Sequence, residues 1–353
     1  MTHLPVGPHS GAADAALRRA VVAAVTAPSV HNTQPWRFVL TDEALELHLD
    51  RTRRLAHLDP TGRLQTVSCG AALQQAVLTL RAERWAVDVR ILPDPEAPDH
   101  LASVRLHPGG PSDPDEARLV AAIPHRRSSR HAFAATPPPA HLLEVLAADA
   151  QTDGQWLRAV REPDGRQVLA ALLDHADWLQ RADPGYRAEL SGWLRADGSR
   201  GDGIVEADLP TSFQHGDLRL REYDLDSPVG AAAGDRAADA ATKAVAAAAA
   251  ADPAGAGTVL VLGGSGDDTH AWLAAGATLA RVLLRLTAEG WSASVLGQLI
   301  DRAGPRALLH DRLGLPGPVQ MVLRVGVGPA VPTSPRRPLE DVLLAHDGTG
   351  GPR

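Results

Sequence analysis

The sequence predicts an α+β fold that is built twice within one chain. Three observations predict it. Helical and strand-type hydrophobic periods both occur from the first hundred residues onward. The length of 353 residues exceeds a single domain of about 100–200 residues. One segment also recurs: Gly70–Trp85 (GAALQQAVLTLRAERW) aligns without a gap on Gly276–Trp291 (GATLARVLLRLTAEGW), with eight identities in sixteen positions. Alanine and leucine supply five of these. The pairs Gly70/Gly276, Glu83/Glu289 and Trp85/Trp291 carry more weight, because the chain has only seven tryptophans. The competing reading is two unrelated buried helices in a leucine-rich protein.

Each element follows from its local pattern. Ala15 to Ala27 is apolar at helical spacing and stops at Pro28. Trp36–Leu40 and Leu45–Leu49 are short strands, Gly70–Trp85 is a buried helix, and Ala86–Leu92 and Leu101–Leu106 alternate as strands. The breaker Pro108–Pro114 (PGGPSDP) divides the chain into halves 1–114 and 115–353. In the second half His141–Asp149, Gly165–Arg181 and Tyr186–Arg195 read as helices. Residues 231–251, almost wholly alanine, are a compositional helix or a mobile segment. Thr258–Leu262 is a strand. Asp267, Asp268 and Thr269 offer N-caps for a helix running to Glu289, and Val319–Val325 is a last strand.

Composition narrows the function. A net charge of −7 argues against a nucleic-acid partner, which favours a basic excess. No run approaches 18 uninterrupted apolar residues, so no membrane span is expected. The N-terminus MTHLPVGPHSG lacks a charged and an apolar leader region, and the single Cys69 excludes a disulfide framework, so a cytoplasmic protein is expected. Lys243 is the only lysine, so arginine clusters are cheap in this chain. The 15 histidines show no ligand spacing such as H-E-x-x-H, so no metal site is expected. LGGSGDD (Leu262–Asp268) does not match G-x-G-x-x-G, and no G-x-S-x-G elbow occurs.

Two segments carry chemistry. Ala27–Phe38 (APSVHNTQPWRF) sets hydroxyl and carboxamide groups between a helix end and a strand start, which suits the edge of a planar heterocycle. A plain polar turn is the alternative. Arg126–Phe133 (RRSSRHAF) groups three arginines and two hydroxyls, a good anion pocket because guanidinium matches phosphate bidentately. A solvated arginine cluster is the alternative, since arginine doublets also occur at Arg18–Arg19, Arg53–Arg54 and Arg336–Arg337.

Together these segments resemble the FMN-dependent nitroreductase superfamily, and its Acg-like actinobacterial branch in particular. APSVHNTQPWRF is similar to the family's P-S-x-x-N-x-Q-P-W loop. RRSSRHAF followed by TPPP (Thr136–Pro139) is similar to its R-x-S-x-R-x-F motif. Pro335–Val342 (PRRPLEDV), Arg54–Arg63 (RLAHLDPTGR) and Val319–Gly328 (VQMVLRVGVG) resemble further parts of that branch. The resemblance weakens over roughly 195–255. The order of the two main motifs is reversed here, and each occurs once. Where the loop should recur, Ala150–Leu157 (AQTDGQWL) is at best a remnant.

The resemblance implies a nitroreductase-like fold in which one chain mimics the family homodimer, with one FMN site between the halves and a lid-like insertion at about 180–255. It implies a monomer. Arg126 and Arg336 would hold the FMN phosphate beside Arg127, Ser128 the ribityl or pyrimidine edge, and Arg130 the N1/O2 side of the ring. Pro28, Ser29, Asn32 and Gln34 would approach from the first half. The loop Ser292–Gly297, with Ser294 and Leu296, would offer a backbone N–H to the flavin. The implied activity is ping-pong hydride transfer from NADPH or NADH through the flavin to a quinone, nitro compound or other small acceptor. No side chain is needed as acid or nucleophile. A lidded protein that sequesters flavin is the alternative.

Overall fold

The computed structural model describes residues 9–41, 44–111, 113–210, 212–221, 223 and 256–344. The alanine-rich stretch 231–251 lies outside the described residues. The chain runs α1 (His9–Ala24), β1 (Trp36–Leu40), β2 (Ala44–Leu49), α2 (Arg63–Ala82), β3 (Trp85–Ile91), β4 (His100–Pro108) and α3 (Pro114–Ala122). It continues through α4 (Ala140–Thr152), β5 (Gln155–Val160), α5 (Pro163–Arg181), α6 (Pro184–Ser191), β6 (Leu194–Arg195), β7 (Ile204–Val205), β8 (Gln214–His215) and β9 (Leu218–Arg219). Last come β10 (Thr258–Gly264), α7 (Thr269–Ala288), β11 (Ser292–Val295), α8 (Ala303–Leu313), β12 (Val319–Gly326), α9 (Leu339–Val342) and β13 (Leu343–Leu344).

The duplication is visible in the sheets. The first is ordered β13-β1-β2-β4-β3 and the second β11-β12-β10-β5. Mapping β1, β2, β3 and β4 onto β5, β10, β11 and β12 gives the same order, with every mapped neighbour antiparallel. In each half the long helix, α2 or α7, joins the second mapped strand to the third. The second half carries its extra chain, residues 161–257, where the first has only the β1–β2 turn. The additional strand is β13, which pairs parallel with β1 (Phe38 opposite Leu343). The end of the chain thus completes the sheet that the beginning started.

The recurrent segments form the seam between the halves. A Cβ on Gly70 would lie 2.2 Å from the Leu273 carbonyl oxygen, and a Cβ on Gly276 would lie 2.0 Å from that of Val67. Val67 and Leu273 are themselves equivalent positions, both offset by 206 residues like the glycines. The contact is therefore isologous, as at a two-fold dimer interface. The cores interlock in the same reciprocal way. Val67 of α2 is packed in the second-half core, while Leu273 of α7 is packed in the first-half core. By length and composition α7 could cross a membrane, but 61% of its apolar window is buried inside the molecule.

Several sequence expectations shift at their edges. The first copy of the recurrent helix starts at Arg63 and ends at Ala82, because Arg84 takes φ +67° and turns the chain into β3 at Trp85. Its counterpart Gly290 has φ +78°. The helix expected over Tyr186–Arg195 stops at Ser191, and Leu194–Arg195 becomes a strand. Ala150–Leu157 is a helix end, a turn at Gly154 (φ +70°) and the start of β5.

Candidate functional site

The loop between α1 and β1 is under backbone strain. His31, Asn32 and Gln34 have φ of 49°, 53° and 50°, left-handed values that cost of order 1–3 kcal/mol each for residues with a Cβ. Surrounding hydrogen bonds over-determine them. Gln34 N donates to Ser29 Oγ (3.0 Å) and Val30 N to Ser68 Oγ (3.2 Å). Asn32 Nδ2 donates to the carbonyls of Gly203 (3.1 Å) and Pro335 (3.0 Å). Gln34 Nε2 donates to Gly201 O (2.8 Å), and Gln34 Oε1 accepts from Arg337 N (2.9 Å). The loop is thereby tied to both the insertion and the C-terminal tail. Arg53 adds a second tie, donating to Thr33 O and pairing with Asp202 of the insertion.

The arginine segment approaches from the other half. Ser128 forms a β-bridge with Ala293, and Ser129 N donates to Ala293 O (2.9 Å), which docks the segment on the edge of β11. Arg126 and Arg336 meet at one backbone oxygen: Arg126 Nη2 and Arg336 Nη2 both donate to Thr26 O, at 3.3 and 3.0 Å. Arg127 Nη2 donates to Thr333 Oγ1 (2.6 Å). Among the described residues no carboxylate pairs with Arg126, Arg127 or Arg336. The Nε atoms of Arg126 and Arg336 are buried without an acceptor. Burial, then the charges of Arg336 and Arg127, push Arg126 down to about 9. Burial and the Arg127 charge push Arg336 down to about 10. A buried cation without a counter-charge is costly, and a bound anion would relieve it.

This cluster lines one end of a two-part cavity. The lower part is walled by Thr26, Pro28, Ser29, Asn32 and Arg126–Ser128, with Thr333, Ser334 and Arg336 from the tail. Pro28, Ser29, Ser128 and Arg130 also line the upper part, which encloses about 990 Å³ including its open mouth. The upper part is largely apolar. Leu64 and Val67 of α2, Leu279 of α7 and Met321 of β12 contribute, with Ser294–Gln298, the end of β11 and the turn after it, on one side. Phe213, Leu220, Arg221 and Tyr223 of the insertion also line it, and Phe213 and Tyr223 pack at 6.0 Å between ring centres. Arg130 lies over the Tyr223 ring at 5.8 Å, and Arg221 is paired with the buried Asp301. Burial lifts the Asp301 carboxyl to about 6 against the pull of Arg221. Burial, helped by Arg221 and Arg130, holds His31 well below its ordinary value, so its imidazole is neutral and its Nε2 faces no acceptor.

Ten of the eleven expected site residues line one part or the other: Pro28, Ser29, Asn32, Arg126, Arg127, Ser128, Arg130, Ser294, Leu296 and Arg336. Gln34 lines neither. Its carboxamide is spent on Gly201, Asn32 and Arg337, which makes it a brace rather than a contact. Leu296 lines the cavity, but its N–H already donates to Val322 O (2.8 Å). The next residue, Gly297, opens a 3₁₀ turn, a position whose N–H has no acceptor within the turn. Sequence reasoning missed His31, Phe213, Leu220, Arg221, Tyr223 and Asp301. One signal was available: Gln214–Arg219 alternates around Gly216-Asp217, a two-residue hairpin pattern.

The family model described as "Nitroreductase family" matches residues 214–328. A Mycobacterium tuberculosis protein named "Putative NAD(P)H nitroreductase Rv3131" is 34% identical over 337 residues, covering 93% of this chain and 90% of its own. Another from the same organism, "Putative NAD(P)H nitroreductase acg", is 30% identical over 331 residues, covering 93% and 95%. Among solved structures, the FMN-dependent nitroreductase NfnB of Mycobacterium smegmatis in complex with NADPH is 18% identical, with a TM-score of 0.35, over 64% of this chain and 96% of that one.

Proposed function

The chain belongs to the nitroreductase family, and from that premise we propose that it is an NAD(P)H-dependent flavin oxidoreductase with a single FMN site shared between its two halves. One observation carries the reading. Three arginines without a carboxylate partner among the described residues open into a cavity whose far end is apolar. That donor set fits a molecule with an anionic end and a flat apolar end.

Arg126 and Arg336 grip the phosphate through charge-assisted hydrogen bonds, with Arg127 adding charge beside them. Pro28, Ser29 and Ser128 line the passage between the two parts, where hydroxyls suit a ribityl chain. Arg130 supplies positive charge in the upper part, favouring an electron-rich ring. Asn32 holds Arg336 in place through its Oδ1 (3.2 Å), and Gln34 braces the loop. The N–H of Gly297 is the backbone donor best suited to the ring. Bound there, FMN would supply two-electron chemistry between NADPH or NADH and a quinone, nitro compound or other small acceptor. The halves are 1–114 and 115–353. The isologous seam already joins them inside one chain, so the protein works as a monomer that mimics a dimer.

A second reading, flavin sequestration with little turnover, is favoured by Phe213, Leu220, Arg221 and Tyr223, which reach the upper cavity from the insertion. One experiment separates the two. The protein is reconstituted with FMN, freed of excess and mixed anaerobically with NADPH or NADH. Bleaching of the yellow colour supports the oxidoreductase. A persistent oxidised spectrum that dithionite removes supports sequestration. Failure to retain FMN at all overturns both.

A further inference from the structure

On the outer face of the first sheet, away from both parts of the cavity, three ligand-type side chains converge. Strand alternation sends Leu45 and Leu47 of β2 into the core and leaves Glu46 and His48 on the opposite face. His100, at the start of β4, lies across from His48, at the point where the β2–β4 ladder shifts register between Leu47 and His48. Such shifts re-aim side chains and recur near sites. The result is two imidazoles and one carboxylate, all half-buried, with one ligand atom from each within 4.8 Å of the others.

We propose that Glu46, His48 and His100 form a binding site for a divalent transition metal of the zinc class. The donor spacing supports it. Zn–N and Zn–O distances near 2.1 Å in tetrahedral geometry put two donors about 3.4 Å apart. His48 Nε2 and Glu46 Oε2 are 3.3 Å apart, so one edge of the site is already at chelating distance. The His48 and His100 rings are stacked, with centres 4.5 Å apart and planes 20° from parallel. A His100 ring nitrogen lies within 4.8 Å of both other donor atoms, and Ser103 Oγ, 3.0 Å from His100 Nε2, fixes that ring beside them. Arg37 is paired with His48 across the strands, but its guanidinium is held by Asp50 at 3.1 Å. Two imidazoles and a carboxylate leave the fourth tetrahedral position open, the pattern of a site that also takes water or another small ligand. Linear spacing hides this site, because His48 and His100 become neighbours only through strand pairing.

The test uses untagged full-length protein stripped with a chelator and then dialysed. Titration with ZnCl₂ by calorimetry should give one ion per chain, and CoCl₂ should produce visible d–d absorption. His100→Asn and His48→Asn should each weaken Zn²⁺ binding at least tenfold while FMN retention is unchanged. His141→Asn, on the exposed start of α4, should leave Zn²⁺ binding as in the wild type. Because a histidine variant could disturb the sheet, Glu46→Gln serves as a milder change: it should keep the apo melting temperature but lose the rise that Zn²⁺ gives the wild type. Less than one bound ion per chain, or wild-type affinity in the His48→Asn/His100→Asn double variant, overturns the proposal.

Discussion

Gly276→Ala tests the seam between the halves directly. On helix propensity alone the change should stabilise, by about 1 kcal/mol at a mid-helix position. The structure reverses the sign. The added Cβ would lie 2.0 Å from Val67 O and 2.9 Å from Ala71 N, whereas a carbon–oxygen contact needs roughly 3.3 Å. Relief requires α2 and α7 to separate by about 1 Å, and gaps of that size forfeit roughly a quarter to a half of the dispersion attraction along the contact. Overpacking of this kind costs about 1–3 kcal/mol and occasionally more. With the propensity gain subtracted, a net loss of about 1 kcal/mol is expected, rising to about 2 if the overpacking cost lies at the top of its range. Urea denaturation reads it as a lower midpoint at unchanged slope. Gly70→Ala should lose a similar amount, because the contact is reciprocal. Gly11→Ala, whose Cβ would meet nothing within 4 Å, should gain stability instead. A Gly276→Ala midpoint at or above the wild type would refute the close-approach argument and, with it, the isologous seam.

Four further outcomes are expected. Arg126→Ala should weaken FMN binding by about 1.5–3 kcal/mol, the worth of hydrogen bonds to a charged group, yet leave the apo protein as stable or more so; if apo stability falls as well, the side chain is structural. Gln34→Ala should raise amide hydrogen exchange at residues 198–203 and at Arg336 and Arg337 together and speed FMN loss, although Gln34 lines neither part of the cavity. Arg84→Gly should stabilise by about 1 kcal/mol, by releasing a left-handed residue where the second copy already uses glycine. Asp267 is ionised unusually readily: burial opposes its charge, but Arg306, Trp272 and Gln320 outweigh it and hold the carboxyl at about 2, below its ordinary 3.8. Its folded value is depressed, so its contribution is present above about pH 4 and lost as pH falls toward 2. Asp267→Asn should therefore flatten that part of the acid limb in a pH series of melting temperatures.

What was legible in the sequence was local. Both motif segments are continuous runs, so their residue types declared themselves, and the Gly–Glu–Trp spacing of the repeat pointed to the duplication, though not to the seam it forms. The illegible parts depend on distant pairing or on polarity in unusual places. Gln65, Thr66 and Ser68 are buried, and their polarity hid the first two turns of α2. Strand β13 is two residues long, below any periodicity signal. Phe213 and Tyr223 look like ordinary loop aromatics until the hairpin brings them to the cavity. Arg126 and Arg336, 210 positions apart in the sequence, meet only because the tail returns across the first half.

That returning tail has a consequence for how the protein comes into being. Phe38 pairs with Leu343, among the most distant partners that a chain of this length allows. Contacts of such separation raise contact order and slow folding, because loop closure must be achieved before the pairing is rewarded. During synthesis the N-terminal sheet emerges early but waits for almost the whole chain before its β1 edge is covered. Until then that edge presents open backbone donors and acceptors to any neighbouring strand. The nascent chain is thus most exposed to mispairing during the interval in which its second half is being made.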